Sequence, residues 1–301
     1  MNLFAQALVL GSEGHFGRIF VRKLRAAGML VHGADLHEVG RHADLNGSYW
    51  SMQPVGLDAT VLAQAACCDC VLACIPEDAL IAVMPQLAEA LPAEALLIDI
   101  ASVKSRIAAA HHISGLRAGH LGLHPMFAPL DDFSGRAMAV VELRANARSS
   151  AFERIVAGWG AQVTRLDAQS HDRTMAAIQV LPHAALLAFG SVLCNGAVPF
   201  ESIWSLATPI QKTMLGLLLR VAGRDQLTHY AIQAENPYAK EIRAQLGTAV
   251  EQLSAGIDTP GPQNFVASLR DIATFINPAD FQIQAIAERI VEFTRQELGN
   301  Q

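Results

Sequence analysis

Residues 7–35, ALVLGSEGHFGRIFVRKLRAAGMLVHGAD, decide the fold. Ala7 to Leu10 is a short apolar run, as a buried parallel strand should be. Gly11-Ser12-Glu13-Gly14-His15-Phe16-Gly17 follows, then a pattern with helical period to about Ala27. Gly28 is placed to stop that helix. Leu30 to Ala34 reads as a second strand and ends at Asp35. This is the βαβ layout that binds dinucleotides. Gly14 lets the backbone approach a pyrophosphate, and Gly17 lets the helix pack close to the strand. The helix N-terminus offers N–H groups and a positive dipole end to the phosphates. His15, Phe16 and the later strand end at Ile75-Pro76 complete the candidate cofactor contacts, with Gly11 and Ser12. In the G-x-G-x-x-G alignment Ser12 stands where the first glycine is expected, with Gly11 just before it. Asp35 can accept hydrogen bonds from the adenosine ribose and would repel a 2′-phosphate, so NAD is expected over NADP. The plainer reading of Asp35 is a turn aspartate.

Working outward, residues 97–129 supply the chemistry. They contain LIDIASVKSRI (97–107) and HLGLHPMFAP (120–129). Leu97 to Ile100 reads as a buried strand, with Asp99, Ser102 and Lys104 at or after its carboxyl end. Leu121 to Leu123 reads as the next strand, and His124 stands where it stops. Open α/β sheets bind ligands just outside the carboxyl ends of their strands. Neighbouring strand ends therefore deliver Ser102 and His124 to one crevice. An imidazole titrates near neutrality and is the natural acid–base group there. A structural histidine ahead of a proline turn is the alternative.

Composition narrows the class. The chain has 301 residues, 51% of them hydrophobic and 17% charged, which describes a well-buried globular protein. Net charge is −6, from 22 basic and 28 acidic residues, and no basic run points to nucleic acid. Cys67, Cys68, Cys70 and Cys74 cluster, but their spacing is not that of a zinc site and no histidine lies close by. They are expected to be reduced, buried and apolar in role, with no metal bound. The odd cysteine count suits a reducing cytoplasm. The first residues carry no basic region and no small-residue cleavage site, so no signal peptide is expected. Val180 to Phe200 is apolar and nearly long enough to span a bilayer. Its Pro182, His183 and Asn195 favour a buried core helix, at a subunit interface, and no membrane partner.

Between these landmarks, residues 41–60 read as irregular and Val71 to Ile75 as a strand. Ala79 to Leu91 reads as a helix interrupted or restarted at Pro85. Ala137 to Val141 and Gln162 to Leu166 read as strands around a helix from about Ser149 to Gly158. From Asp167 onward the period is helical, broken at Pro199, Pro209, Pro237, Pro260-Gly261-Pro262 and Pro278. The expected architecture is an α/β Rossmann-like NAD-binding domain over 1–166. An all-helical dimerisation and substrate domain over 167–301 follows. The excess of apolar helix, notably Leu186 to Val198 and Met214 to Val221, predicts a homodimer.

Laid out in this way, the chain resembles the prephenate dehydrogenase family. The likeness rests on GSEGHFGRIF, LLIDIASVKS, LGLHPMFAP, HDRTMAAIQVLPHA from His171, and LATPIQKTMLGLLLR ending at Arg220. It is nearest to the dehydrogenase part of the bifunctional mutase–dehydrogenases, without their mutase domain. The resemblance implies an NAD-linked oxidative decarboxylation of prephenate to 4-hydroxyphenylpyruvate, in tyrosine or related aromatic biosynthesis in the cytoplasm. A cyclohexadienyl substrate gives up hydride from C4, loses its ring carboxylate as CO₂ and becomes aromatic. By that resemblance His124 is the base for the 4-hydroxyl, Ser102 orients the hydroxyl and His124, and Arg220 holds a carboxylate. By the same resemblance His183 contacts the substrate or fixes its helix, and Lys212 adds positive charge near the substrate or is a solvated helix residue. His171 and Asp172 open a long helix, with helix capping and packing as their alternative role. Ala128 replaces a glycine of the HPMxGP pattern, and the acidic residue expected after it is displaced to Asp131 or Asp132. Relatives act on prephenate, arogenate or 4-amino-4-deoxyprephenate. Two other readings share the architecture. A β-hydroxyacid or imine reductase needs a catalytic lysine or aspartate on the long helix, and the helix after His171 offers no lysine. A non-catalytic NAD sensor does not need Ser102, His124 and Arg220 together.

Overall fold

The computed structural model describes residues 3–36, 44–53, 56–223, 226–276 and 283–298. Pro278 lies outside them, as do residues 37–43 and 54–55 of the stretch around the second strand. The chain divides into two compact units, Met1–Thr174 and Met175–Gln301. The division falls inside a continuous helical run, later than the end of the α/β pattern at Leu166. Residues 168–174 are helical, yet His171 and Asp172 bond within the first unit.

The first unit is built on an eight-stranded sheet of order β3-β2-β1-β4-β5-β6-β7-β8. Its elements run β1 (Gln6–Leu10), α1 (His15–Ala26), β2 (Leu30–Asp35), β3 (Tyr49–Ser51), α2 (Ala59–Cys67), β4 (Cys70–Ala73) and α3 (Glu77–Ala90). They continue with β5 (Leu96–Asp99), α4 (Ser105–Ser114), β6 (Gly119–Pro125), β7 (Ala137–Arg144), α5 (Ala147–Gly158) and β8 (Gln162–Arg165). Every neighbouring pair is parallel except β6 with β7. The first strand leads to β2 on one side and adjoins β4 on the other, so a crevice opens at the carboxyl ends where the winding reverses. Both faces of the sheet are covered. One carries Phe20, Phe133, Phe152 and Leu24; the other carries Leu80, Met84, Leu87 and Ile107. Parallel strands buried on both faces require the near-continuous apolar runs seen in β1, β4 and β5.

Several elements differ from the sequence reading. Pro85 does not interrupt α3, whose Val83, Met84 and Leu87 are buried while Pro85 lies on the exposed side. Packing of that face holds the helix across the missing N–H. A short edge strand, β3, and the start of α2 fall in the stretch read as irregular. The sequence reading lacks the fourth helix, for a reason given below. Of the clustered cysteines Cys68 and Cys70 are buried and Cys74 is half-buried, but Cys67 is exposed, so the expectation of a buried cluster fails there. Among the described residues no group of three or more His, Cys, Asp or Glu is arranged to hold a metal.

In the second unit the helical run goes on from α6 (Ala168–Met175) through a π-helical turn (Ala176–Val180) into α7 (Leu181–Asn195). Pro182 explains the wide turn. It has no N–H and its ring crowds the preceding carbonyls, and a π-bulge relieves both. Then come α8 (Phe200–Ser205), α9 (Pro209–Ala222), α10 (Gln226–Glu235), α11 (Ala239–Asp258), α12 (Gln263–Ile276) and α13 (Ile283–Leu298). The breaks before α8, α9, α11 and α12 fall at proline-bearing segments, whereas α9 ends at Gly223 without one. Ala168–Asn195 is long and apolar enough to cross a membrane by length and composition, and His171 and Asp172 lie in it. Its seventh helix is not a buried core helix within one chain, since Gly190 is its only buried residue. Large apolar side chains stand exposed on this unit, Leu219, Phe275, Val192 and Ile257 among them.

Two glycines fix the entry to α1. Gly11 has φ 76, and a Cβ on it would lie 2.3 Å from the Cys74 carbonyl oxygen. A Cβ on Gly17 would lie 1.9 Å from the Gly11 carbonyl oxygen, a clash between two backbones. Gly17→Ala is therefore expected to destabilise the first unit by about 1–3 kcal/mol, as overpacking does. A urea midpoint equal to that of the parent would contradict this packing.

Candidate active site

The site is built on the carboxyl ends of β5 and β6. Asp99, the last residue of β5, is wholly buried, as is Lys104 five residues beyond it. The Lys104 ammonium donates to Asp99 Oδ1 at 2.5 Å and to the Leu123 carbonyl at 2.8 Å. His120 Nε2 lies 3.2 Å from Asp99 Oδ2. Burial pushes the Asp99 carboxyl up, but Lys104 and His120 outweigh it and hold Asp99 below the ordinary carboxylate range. A buried pair such as this is weak evidence for net stability. Its geometric effect is direct: it clamps the carbonyl of Leu123, the residue before His124.

His124 sits in β6, only 4% exposed. Its Nδ1 lies 3.0 Å from His171 Nε2, and His171 Nδ1 lies 2.7 Å from Asp172 Oδ1. Asp172 also accepts the Lys104 backbone N–H on Oδ1 and the Ser105 N–H on Oδ2, each at 2.8 Å. These N–H groups belong to the start of α4, which has no cap from its own N-cap side chain. Burial raises the Asp172 carboxyl, but the bonds from His171, Lys104 and Ser105 prevail and hold it below its ordinary value. The carboxylate accepts only, so His171 carries its proton on Nδ1. With both imidazoles neutral, His171 Nε2 then accepts from His124 Nδ1–H. The remaining lone pair of the His124 ring lies on Nε2. The arrangement is a carboxylate–imidazole–imidazole relay that selects one tautomer of His124. Burial first, then His171 and Lys104, push the His124 imidazole well below its ordinary value. The ring is thus held neutral, as a proton acceptor must be.

The other expected site residues separate into groups. Ser102 follows β5, is half-buried, and its hydroxyl has no protein partner among the described residues. It does not orient His124 through a direct bond; His171 holds Nδ1 instead. The relay through His171 and Asp172 is what sequence reading took no further than a helix cap or packing pair. Spacing gives no signal for it, because its partners are 47 and 68 residues apart. Asp131 does not turn toward His124 chemistry: it is ion-paired with Arg22 of α1 at 2.6 Å, with its side chain 69% exposed. In the second unit Arg220 lies exposed in the last turn of α9 and has no protein hydrogen bond among the described residues. Lys212 places its ammonium 5.3 Å from the centre of the Trp204 ring. His183 packs edge-on against His229 of α10, ring centres 4.8 Å apart, and the Nδ1 atoms of both are enclosed without a partner. Burial, then His229, lower the His183 imidazole from its ordinary value.

The glycine loop fits a dinucleotide. Gly14 is the N-cap of α1, no side chain caps the helix, and no acidic residue stands in its first turn. A Cβ on Gly14 would meet only the Gly11 carbonyl, at 3.3 Å, so its outer side is open to an approaching pyrophosphate. Asp35 is buried at the end of β2, and its Oδ2 accepts the Glu13 N–H at 2.8 Å. Ser12 is enclosed and its Oγ sits where a Cβ on Gly33 would be, 2.6 Å away. Serine thus replaces the family glycine by packing over a second glycine, Gly33. Ile75 is half-buried with Cγ2 against Gly11, and Pro76 is the N-cap of α3. His15 is exposed at the start of α1. Phe16 makes aromatic contacts with Phe20 and Phe127, so it packs the loop rather than facing outward.

Known families and proteins resemble this chain along most of its length. Residues 22–148 match the prephenate dehydrogenase nucleotide-binding domain, and residues 167–271 the prephenate dehydrogenase dimerization domain. The chain is similar to a 4-amino-4-deoxyprephenate dehydrogenase of Streptomyces pristinaespiralis, 31% identical over 96% of this chain and 97% of that one. It is also similar to a T-protein of Enterobacter agglomerans, 28% identical over 88% of this chain and 66% of that one. Its fold is that of a prephenate dehydrogenase of A. aeolicus solved in complex with hydroxyphenyl propionate and NAD+. That likeness has a TM-score of 0.73 at 19% identity and covers 90% of this chain and 96% of that one.

Asp172→Asn should destabilise the first unit at pH 7 by about 1–3 kcal/mol, since it weakens a helix cap and a charged hydrogen bond together. The folded carboxyl lies below its unfolded value, so its stabilisation is present above pH ~3.9 and fades as pH falls through the folded value. The gap between the two proteins in urea unfolding should close in that acid range. A gap that instead widens toward acid would show that Asp172 is not held as a carboxylate.

Proposed function

The chain belongs to the prephenate dehydrogenase family, and on that premise we propose that it catalyses the NAD-dependent oxidative decarboxylation of prephenate to 4-hydroxyphenylpyruvate. It is an oxidoreductase of aromatic biosynthesis; the particular substrate, the site roles and the homodimer are our reading. The observation that carries it is the Asp172–His171–His124 relay at the carboxyl end of β6. NAD supplies the hydride acceptor when bound.

The chain's own residues supply the rest. The open side of Gly14 and the N–H groups that start α1 receive the pyrophosphate, and Asp35 receives the ribose hydroxyls. His124 Nε2 takes the proton of the 4-hydroxyl as hydride leaves C4. His171 and Asp172 keep that nitrogen unprotonated and hold the ring in place. Lys104, through the Leu123 carbonyl, fixes the backbone on which His124 stands. Ser102, with a hydroxyl that lacks a protein partner, is available to the same oxygen of the substrate. Loss of the ring carboxylate as CO₂ makes the ring aromatic and drives the step. Arg220 is the carboxylate ligand of this reading: an exposed guanidinium with its donors unused suits bidentate binding. His183 and Lys212 remain substrate-side candidates of the second unit. A homodimer follows from the dimerization-domain match and from the apolar side chains that α7, α9 and α12 leave exposed in one chain. In this reading the enzyme works in the cytoplasm, as its odd cysteine count favours.

A second reading is favoured by the full-length likeness to a 4-amino-4-deoxyprephenate dehydrogenase. A 4-amino substrate asks the same of the site, a neutral base beside C4. The burial that lowers His124, with His171 and Lys104 adding to it, disfavours an ammonium there as well and selects the free amine. Reduction of NAD by purified enzyme with prephenate, arogenate and 4-amino-4-deoxyprephenate tests both readings. Prephenate as the best substrate by kcat/KM supports the first; turnover of none of the three rejects the reaction.

His124→Asn keeps a polar side chain and removes the base, so kcat should fall by ~10²–10⁴ with NAD affinity intact. Because the folded imidazole lies below its ordinary value, the acid limb of the parent's kcat should fall below pH ~6.5. Activity should hold through that pH and be lost only when Nε2 is protonated at lower pH. A limb at or above the ordinary value would mean that the buried ring is not the group titrating.

Arg220→Ala should raise KM for substrate by roughly 10- to 100-fold, the worth of a charge-assisted carboxylate contact, with NAD affinity unchanged. An unchanged KM in a folded variant would leave Arg220 outside the substrate site.

A further inference from the structure

Glu13 occupies the glycine loop between Ser12 and Gly14, a position where any side chain stands beside the dinucleotide. Its backbone N–H is bonded to Asp35, which sets Glu13 at the ribose end of the crevice. Its carboxylate is not idle. Arg18, one turn into α1, donates from Nη2 to Glu13 Oε2 at 2.7 Å and from Nε to the Glu13 carbonyl at 3.0 Å. The Glu13 side chain is 10% exposed and that of Arg18 38%. The guanidinium is therefore folded back on the loop rather than turned toward a ligand. Tyr49 of β3 reports the local field. Its strand pairs with β2 so that Tyr49 is opposite Gly33 and Ser51 opposite Asp35. Burial, then Asp35 and Glu13, push its phenol up to about 12. Two carboxylates thus act on one side of the crevice.

The geometry points to Glu13 as a second determinant of which dinucleotide binds: it pins Arg18 and adds a carboxylate beside Asp35, so that a 2′-phosphate is refused. This rests on the dinucleotide reading of the loop. An arginine near the ribose is the group that accommodates a 2′-phosphate when it is free to form a bidentate contact. Here that arginine is held by the neighbour that would repel the phosphate. Asp35 alone accounts for hydroxyl recognition; the pinned arginine accounts for exclusion.

The test is direct binding of NAD and of NADP to the full chain without substrate, by titration calorimetry at low ionic strength, where charge effects are least screened. Glu13→Gln keeps size and hydrogen-bonding shape while releasing the charge on Arg18. It should bind NADP roughly tenfold more tightly than the parent, with NAD affinity changed by less than about threefold. Glu13→Gln combined with Arg18→Ala should lose that gain, because the released guanidinium makes it. A Glu13→Gln protein that binds NAD normally but gains nothing toward NADP overturns the inference. So does a gain that survives Arg18→Ala. Binding of neither dinucleotide by the parent is a different result: it rejects the cofactor reading of the loop, and this inference with it.

Discussion

The Asp172 carboxylate is the constraint on which the site depends. It is wholly buried and accepts three hydrogen bonds, from His171 and from the first N–H groups of α4. A charge in such a place is stable only while those donors stay aligned. Position and protonation are therefore set together. The start of α4, the ring of His171 and, through it, the tautomer of His124 move as one set. The second buried charge pair, Lys104 with Asp99, completes the frame by holding the Leu123 carbonyl. His124 is thereby fixed from its backbone on one side and from its ring on the other.

On the proposed reading His124 is the base, and its burial suits that role. An exposed histidine titrates near neutrality. Enclosure first, then His171 and Lys104, lower the ring of His124, and the relay puts its proton on Nδ1. The cost of enclosure is met by the hydrogen bond to His171, so His124 Nδ1 is satisfied within the protein. The cofactor side follows a similar logic. Gly11 and Gly17 permit backbones to approach, and Ser12 fills the space that Gly33 leaves.

What the sequence revealed and what it concealed divide by distance along the chain. The βαβ unit, the strand ends at Asp99 and His124, and the proline breaks of the helical part are local patterns, so period and composition read them. The fourth helix has its N-terminal donors closed by Asp172, which is 68 residues away, and no side chain of its own caps that end; its one local signal is Gly115 at the C-terminus. The bond between His124 and His171 likewise spans 47 residues. Pro85 looked like a break because local propensity said so; burial of Val83, Met84 and Leu87 overrode it. Asp131 looked available because the acidic position after the HPMxGP pattern was empty, and the sequence could not show Arg22 beside it. Exposure of α7 in one chain was hidden for the opposite reason: apolar composition reports burial without saying against which chain.

Nitrogen-15 spectroscopy of the histidine rings in the resting protein reads the relay itself. The account predicts that His124 keeps its proton on Nδ1, with Nε2 a bare, pyridine-like nitrogen, across pH 6 to 8, and that His171 carries its proton on Nδ1. A His124 ring protonated on Nε2, or present as the imidazolium in that range, would contradict the claim that Asp172 and His171 prepare it as the base.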